Sequence, residues 1–356
     1  MTPPRLLFAP VSGPAGTGEY VRCLTIAQGA QARWPALDIG FLLSRDAPYA
    51  ATVPFAVHAI AGSPTRHTAA VNEILDRVRP HVVVFDNAGR TAQLTHARRV
   101  GARTVYISRR PGKRRKAFRL RWLRLLDQHW IAFPTFIDGP LGAWERMKLR
   151  LFPEVEVVFL GAVYSDSVPE RRAELLRGLG LAGRPYVLFS GGGGGRHPGG
   201  VSAPDVFAAA AAAVARQGGA RVVLVAGQNA RLGAADLGAV TVLPSVPPEH
   251  LIDLVHDAEI VACNGGTTLT QALAHRKPCV AVAIADDQPR RVRRCARLGL
   301  VVASSLDAAA LGGRVLSLLH DRARRDELAA RVAATGLDNG VERALAGLAR
   351  LLPTGG

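Results

Sequence analysis

Apolar residues in this chain come in short runs bounded by Gly, Pro or Asp, and the runs alternate with longer stretches rich in alanine and arginine. Runs of that kind read as strands buried on both faces, and the stretches between them as covering helices, which is the pattern of a parallel sheet. The predicted class is α/β. In the first half strands are expected at 5–9, 37–43, 82–85, 104–107, 129–132 and 155–159, with helices at 20–33, 69–79, 92–100 and 117–126. The periodicity breaks at Gly161-Ala-Val-Tyr-Ser-Asp-Ser-Val-Pro169, whose turn formers and proline mark an interdomain linker. Beyond it, strands are expected at 186–189, 221–226, 240–243, 259–262, 279–283 and 300–302, with helices between them and two or three more after Asp307.

A length of 356 residues suits two cores rather than one. The expected division is 1–162, 163–336, and a terminal helix within 337–356 that packs back on the first domain. Both halves open alike: Leu6-Leu-Phe-Ala-Pro-Val-Ser-Gly-Pro-Ala-Gly-Thr-Gly18 leads into a helix, and so does Tyr186-Val-Leu-Phe-Ser-Gly-Gly-Gly-Gly-Gly-Arg196. Two Rossmann-like units are expected, with ligands beyond the carboxyl ends of the strands and chemistry in a cleft between the units.

Composition narrows the classes. With 48% hydrophobic and 21% charged residues the chain lies far from the disordered regime. The N-terminal apolar run is short and broken by proline, which argues against an export signal, and no apolar stretch is long enough to span a bilayer. Cys23, Cys263, Cys279 and Cys295 are scattered without metal-site spacing, so neither a metal nor a disulfide framework is expected. A reducing cytoplasm is the simplest compartment. The formal charge of +17 favours anionic partners such as nucleotides, acidic lipids or nucleic acids, unless it only reflects an arginine-rich composition.

Three glycine- and hydroxyl-rich segments carry candidate chemistry in the second half. Gly191, Gly192, Gly193, Gly194 and Gly195 follow a predicted buried strand, where side-chain-free amides can approach a phosphate. No Gly-Lys-Ser/Thr follows, so this is not a Walker loop. In Cys263-Asn-Gly-Gly-Thr-Thr-Leu-Thr-Gln-Ala-Leu-Ala274, residues Gly265, Gly266, Thr267 and Thr268 fall on a turn and first helical positions. They either offer donors to a diphosphate or simply cap the helix. In Ala285-Asp-Asp-Gln288, Asp287 and Gln288 suit sugar hydroxyls or the cap of the helix that follows.

Gly265-Gly-Thr-Thr-Leu-Thr-Gln271, Lys277-Pro278, Asp287-Gln288 and Gly299, in that order, resemble the C-terminal donor domain of family 28 glycosyltransferases. That family includes the peptidoglycan N-acetylglucosaminyltransferase and the UDP-sugar hydrolase of pseudaminic acid biosynthesis. The likeness is strongest over 186–302, and Gly16-Thr-Gly-Glu-Tyr-Val-Arg-Cys-Leu-Thr-Ile-Ala27 resembles the family's first loop, with Gly16 and Gly18 on it.

The resemblance implies a GT-B fold, two Rossmann-like domains with parallel sheets facing across a cleft. It implies an inverting, metal-independent transfer from a UDP-sugar, an N-acetylhexosamine for example, to an acceptor that includes lipid-linked candidates. No separate cofactor is implied, since the nucleotide-sugar is the substrate. Gly191–Gly195 and Gly265–Thr268 would face the UDP phosphates, Val246 the uracil, and Asp287 with Gln288 the sugar. Gln271 replaces the family's ribose-binding glutamate, which keeps a hydrogen bond but loses charge assistance.

Glu19 stands where relatives have histidine. It is either the base for the acceptor hydroxyl or a partner for its helix dipole. Asp86 and Asn87, ending a predicted strand, are expected to point at the cleft as a second candidate base or acceptor contact, or else to form a turn.

The segment 109–126 holds nine Lys and Arg and no acid. Arg114, Arg115, Lys116, Arg119 and Trp122 mark it as a membrane or anion patch, which would place the protein on the inner face of a membrane. The alternative is a helix that uses its apolar side as core. A nucleic-acid groove is disfavoured, because aromatic residues are only 6% of the chain. A nucleotide-sugar hydrolase and a non-catalytic membrane or nucleic-acid protein remain as other functions.

Overall fold

Strands that are apolar on both sides need cover on both sides, and the alternation of strand and helix along this chain supplies it. The structure, a computed structural model, describes residues 3–12, 17–193, 202–217, 219–227, 230, 232 and 237–353. The chain divides into two compact units: Met1–Val163 with Asn339–Gly356, and Tyr164–Asp338.

The first unit begins β1 (Arg5–Pro10), α1 (Gly18–Arg33), β2 (Asp38–Ser44), β3 (Ala56–Ile60), α2 (Thr68–Val78) and β4 (Val82–Asp86). It continues with α3 (Thr91–Arg99), β5 (Arg103–Ser108), α4 (Pro111–Ala117), α5 (Leu120–Leu123), β6 (Gln128–Ile131), α6 (Thr135–Asp138), α7 (Ala143–Arg150) and β7 (Glu156–Phe159). Its sheet has the order β3-β2-β1-β4-β5-β6-β7, and every pairing is parallel. The chain direction across the sheet reverses between β1 and β4, the switch point at which such sheets open a crevice for ligands.

The second unit runs α8 (Pro169–Gly178), β8 (Tyr186–Ser190), α9 (Ala203–Gln217), β9 (Arg221–Val225), β10 (Val240–Leu243), α10 (Pro248–Asp257), β11 (Ile260–Asn264) and α11 (Thr267–Ala274). Then come β12 (Cys279–Val282), α12 (Gln288–Arg297), β13 (Val302–Ser304), α13 (Ala308–His320) and α14 (Arg322–Ala333). The sheet is again all parallel, β10-β9-β8-β11-β12-β13, and reverses between β8 and β11. Small residues on α9, among them Ala208, Ala211 and Ala212, let it pack closely into the core under this sheet.

The last helix, α15 (Val341–Ala349), belongs to the first unit, where Ala344, Leu345 and Leu348 join the core cluster of α1 and Trp130. Two glycines let it approach. A Cβ on Gly340 would sit 2.0 Å from the Leu160 carbonyl oxygen, and one on Gly347 would meet Gln128 Oε1 at 2.7 Å. Gln128 Nε2 donates to the Gly347 carbonyl at 2.9 Å, and Arg343 donates to Leu160 O at 2.7 Å.

Several elements depart from the sequence expectation. β3 was not expected: it is an edge strand, partly exposed along Ala56–Ala59, so it lacks the continuous apolar run of its neighbours. α7 and α8 also go unannounced, because α7 has no buried residue, α8 buries only Leu176, and half of the residues in each helix are charged. The helix expected at 117–126 is broken at Arg119, whose backbone is extended (φ −75°, ψ 137°). The break splits the expected helix into α4 and α5, and Phe118, Trp122, Leu123 and Leu126 all enter one core.

Replacing Gly340 with alanine forces a methyl group into the Leu160 carbonyl. The expected cost is about 1–3 kcal/mol of overpacking, seen as a fall in thermal midpoint of roughly 2–10 °C in a scanning calorimetry trace. An unshifted midpoint would show that the closing segment does not bear on stability.

Candidate functional site

Both switch points gather polar residues at the carboxyl ends of strands, and they do so differently. In the second unit the turn after β8 and the turn after β11 are neighbours because the two strands pair directly, Cys263 opposite Ser190. Asn264, the last residue of β11 and 7% exposed, joins them. Its Nδ2 donates to the Gly191 carbonyl at 2.8 Å, and its Oδ1 accepts from the Gly266 amide at 2.6 Å.

The side chain leaves no space for anything but hydrogen on its neighbours. A Cβ at Gly192 would lie 2.2 Å from Asn264 Nδ2, and one at Gly266 would lie 2.4 Å from Oδ1. Gly192 also sits at φ 84°, a conformation that favours glycine. Gly266 is the N-cap of α11 and Thr267 and Thr268 open the helix, but no side chain caps it. The first-turn amides of a helix lack intrahelical acceptors, so this is a place where an anion is favourable.

The other residues of the second-unit site are placed as follows. Gly191, Gly192 and Gly193 lie on the turn after β8, and no atom comes within 4 Å of a Cβ built on Gly193. Gly194 and Gly195 lie outside the described residues. Gln271 and Thr268 are buried on α11. Gln288 is buried at the start of α12, where its Oε1 accepts from Ile284 N at 2.9 Å. Asp287 leans on Arg291 at 3.1 Å. Val246 is half-buried in the loop before α10.

In the first unit, Glu19 and Asp86 lie at the β1/β4 switch point but in opposite surroundings. Asp86 does not point outward as the sequence suggested. It is fully buried, and Arg22 of α1 holds it with two bonds of 2.8 Å, Nε to Oδ2 and Nη2 to Oδ1. Burial pushes its carboxyl up to about 6 against the pull of Arg22, and Asp86 in turn raises Arg22 above the ordinary guanidinium range despite burial. The two-bond fork ties α1 to the end of β4 beneath the crevice. Asp86 is therefore withdrawn as a base or acceptor contact.

Glu19, in the first turn of α1, faces the next layer. Asn87 Nδ2 donates to its Oε1 at 2.8 Å, and Arg109 Nη1 reaches the same oxygen at 3.3 Å. Asn87 holds a left-handed backbone (φ 50°), takes the Arg109 amide on its Oδ1 at 3.0 Å, and takes Lys113 Nζ on its carbonyl at 2.8 Å. Burial raises the Glu19 carboxyl, but Arg109, Arg22 and the Asn87 bond outweigh it and hold the group below the usual carboxylate range. Gly18 starts α1, whereas Gly16 lies outside the described residues.

The basic segment is not a membrane helix. Trp122 is fully buried, with its Nε1 donating to Thr91 Oγ1 at 3.1 Å. Arg114 is buried, forked onto Glu145 at 2.9 and 2.6 Å, and it also donates to the carbonyls of Asp138, Gly139 and Pro140. Lys116 lies 4.1 Å from the centre of the Trp122 ring and donates to Gly89 O, and burial beside Lys113 and Arg90 lowers it to about 8. Arg115 and Arg119 alone of the five named residues are exposed. Apart from the exposed Leu120, the apolar side of 109–126 is core.

The sequence carries no signal for the side-chain placement of Asn264 or Arg22, and Arg109 stands out in it only as part of the basic segment 109–126. Asn before Gly-Gly at a strand end is a turn signal, but nothing in the sequence says that its side chain spans to a second glycine turn.

No protein-family model matches the chain, and no curated protein matches it in sequence. Solved structures do match in fold. The glycotransferase of kitacinnamycin superposes with a TM-score of 0.65 at 16% identity, over 99% of this chain and 100% of that one. The glycosyltransferase SnogD from Streptomyces nogalater gives 0.63 at 18% identity, over 98% and 99%. UGT2 of Phytolacca americana, complexed with UDP-2fluoro-glucose and pterostilbene, gives 0.65 at 12% identity, over 98% and 99%. The chain has the GT-B fold of these glycosyltransferases.

The buried Arg22–Asp86 pair makes a direct prediction. Asp86→Leu or Arg22→Met alone leaves an unpaired buried charge and should cost about 3–5 kcal/mol in urea unfolding, while the double variant should recover most of the loss. Additive losses in the double variant would mean that the two groups do not depend on each other.

Proposed function

We propose that this chain is a glycosyltransferase that moves a sugar, an N-acetylhexosamine in the narrowest form of the reading, from a UDP-sugar to an acceptor hydroxyl with inversion. The observation that carries the proposal is the pair of glycine turns at the strand-order reversal of the second sheet, locked together by Asn264 beside the open start of α11. Backbone amides there suit a diphosphate, and the GT-B fold supports sugar transfer. UGT2, a structure of the same fold, is complexed with a UDP-sugar analogue, which favours a UDP-type donor.

In the reaction the acceptor oxygen bonds to the anomeric carbon as the bond to the diphosphate oxygen breaks, and the diphosphate leaves with the electron pair. Amides of Gly191–Gly193 and of the first turn of α11 stabilise the departing charge. Gln271 serves the ribose as a neutral hydrogen-bonding group, and Asp287 with the amide of Gln288 serves the sugar. Glu19 takes the acceptor proton, oriented by Asn87 and Arg109. The sequence has no Asp-x-Asp to bridge a metal to the diphosphate, so the transfer is expected to proceed in the presence of EDTA. A lipid-linked alcohol is one acceptor class to test.

Nucleotide release from a panel of UDP- and TDP-sugars, with and without acceptor alcohols, tests the reading. Release that requires an acceptor is expected. Release in water alone would make the chain a hydrolase, and absence of nucleotide binding at millimolar concentration would overturn the proposal. Gly192→Ala should weaken UDP binding by tenfold or more in calorimetry, about 1.4 kcal/mol, without unfolding the second unit.

The Glu19 carboxyl sets a pH signature. Because it is held low, it stays ionised across the neutral range, and kcat should fall only when pH drops below the usual carboxylate values. Arg109→Met removes the charge that holds it low, so the acid limb should move upward in pH. Glu19→Gln should lower kcat by about 10²–10⁴ and leave UDP affinity unchanged. Undiminished turnover in Glu19→Gln would remove that carboxylate from proton transfer.

A further inference from the structure

The largest exposed apolar side chains of the first unit share one helix face. On α7, Trp144 is 73% exposed and Met147 43%, and Leu151, just past the helix end, is 66% exposed. Positions i, i+3 and i+7 fall on one stripe. The remaining exposed large apolar residues, Leu120, Val168 and Leu298, stand singly in the sequence.

The stripe is held outward by what anchors the other side. Glu145 accepts both nitrogens of the Arg114 fork, Nε at 2.9 Å and Nη2 at 2.6 Å, and takes the Gly142 amide at 2.9 Å. Leu149 and Phe152 pack against the core cluster of Trp122 and Leu123. The helix cannot turn its apolar side inward without breaking these bonds.

Cations border the stripe. Arg146, Lys148 and Arg150 lie on the same helix, and none of them forms an ion pair among the described residues. Arg115, next to the Arg114 anchor, is also exposed. The one acid of the helix, Glu145, is spent on Arg114.

We propose that α7 docks the first unit on an anionic lipid bilayer, with Trp144, Met147 and Leu151 entering the headgroup boundary and Lys148 and Arg150 pairing with lipid phosphates. A short helix with a compact apolar stripe and cationic flanks is suited to shallow insertion. A second copy of the chain is the poorer occupant, since a stable dimer needs about 800 Å² and roughly 20–30 residues from each partner, and three side chains fall far short. The surface differs from the buried segment 109–126 and does not depend on the donor site.

The test is co-sedimentation of the full chain with phosphatidylcholine vesicles, with and without phosphatidylglycerol, alongside sedimentation velocity without lipid. Binding to the anionic vesicles only is expected, with quenching of tryptophan emission by brominated lipid. Trp144→Ser/Met147→Ser/Leu151→Ser should lower partitioning about tenfold or more while thermal midpoint and UDP affinity stay unchanged. Trp144→Phe should retain partitioning and lose most of the quenching, because Trp122 and Trp130 are buried and Trp34 is half-buried against the core of α1. Lys148→Glu/Arg150→Glu should abolish the preference for anionic lipid. Equal partitioning by wild type and the triple serine variant overturns the proposal, and so does a wild-type dimer that the triple variant dissociates while neither binds vesicles.

Discussion

A parallel strand that ends at a sheet's rim must hand its chain to a covering helix, and the turn leaves backbone groups unpaired where two strands diverge. Both units of this protein meet that constraint at their strand-order reversals, and both meet it with an asparagine. In the second unit Asn264 bonds the Gly191 carbonyl and the Gly266 amide, so two turns become one object. In the first, Asn87 in a left-handed backbone takes the Arg109 amide and the Lys113 ammonium, and gives its own amide to Glu19. These short side chains tie together the turns of each crevice.

The charges divide by depth. Arg22 with Asp86 and Arg114 with Glu145 sit inside the first unit, and Arg171 with the fully buried Asp253 sits inside the second, where Ser167 adds a bond of 2.6 Å. Buried pairs of this kind contribute less to stability than to placing their neighbours. Arg22 holds Asp86 beneath Glu19, and Arg109 together with Arg22 and the Asn87 bond holds the Glu19 carboxyl below the usual carboxylate range. Much of the formal +17 is carried by exposed arginines, including the row Arg290, Arg293 and Arg297 on α12.

The fold was legible where burial is two-sided. Strands such as 82–85 and 186–189 are continuous apolar runs because helices cover both faces, and the structure extends each by a residue or so. Legibility failed where a second physical demand overrode the pattern. The edge strand β3 is half exposed, and the extended backbone of Arg119 splits the expected helix 117–126 into α4 and α5. At the sites, glycine and the first-turn threonines announced backbone chemistry. The sequence was silent on Asp86 turning inward, because its partner Arg22 lies 64 positions away and only the fold brings them together. The outward face of α7 was equally hidden, since an apolar residue at helical spacing normally signals core.

The return of α15 to the first unit has a consequence for biogenesis. A ribosome completes β1 through β7 early, yet the helix that shields Trp130 and the flank of α1 is made after the entire second unit. The inserted unit can finish folding during synthesis, while its host waits with an uncovered apolar surface until α15 has been made.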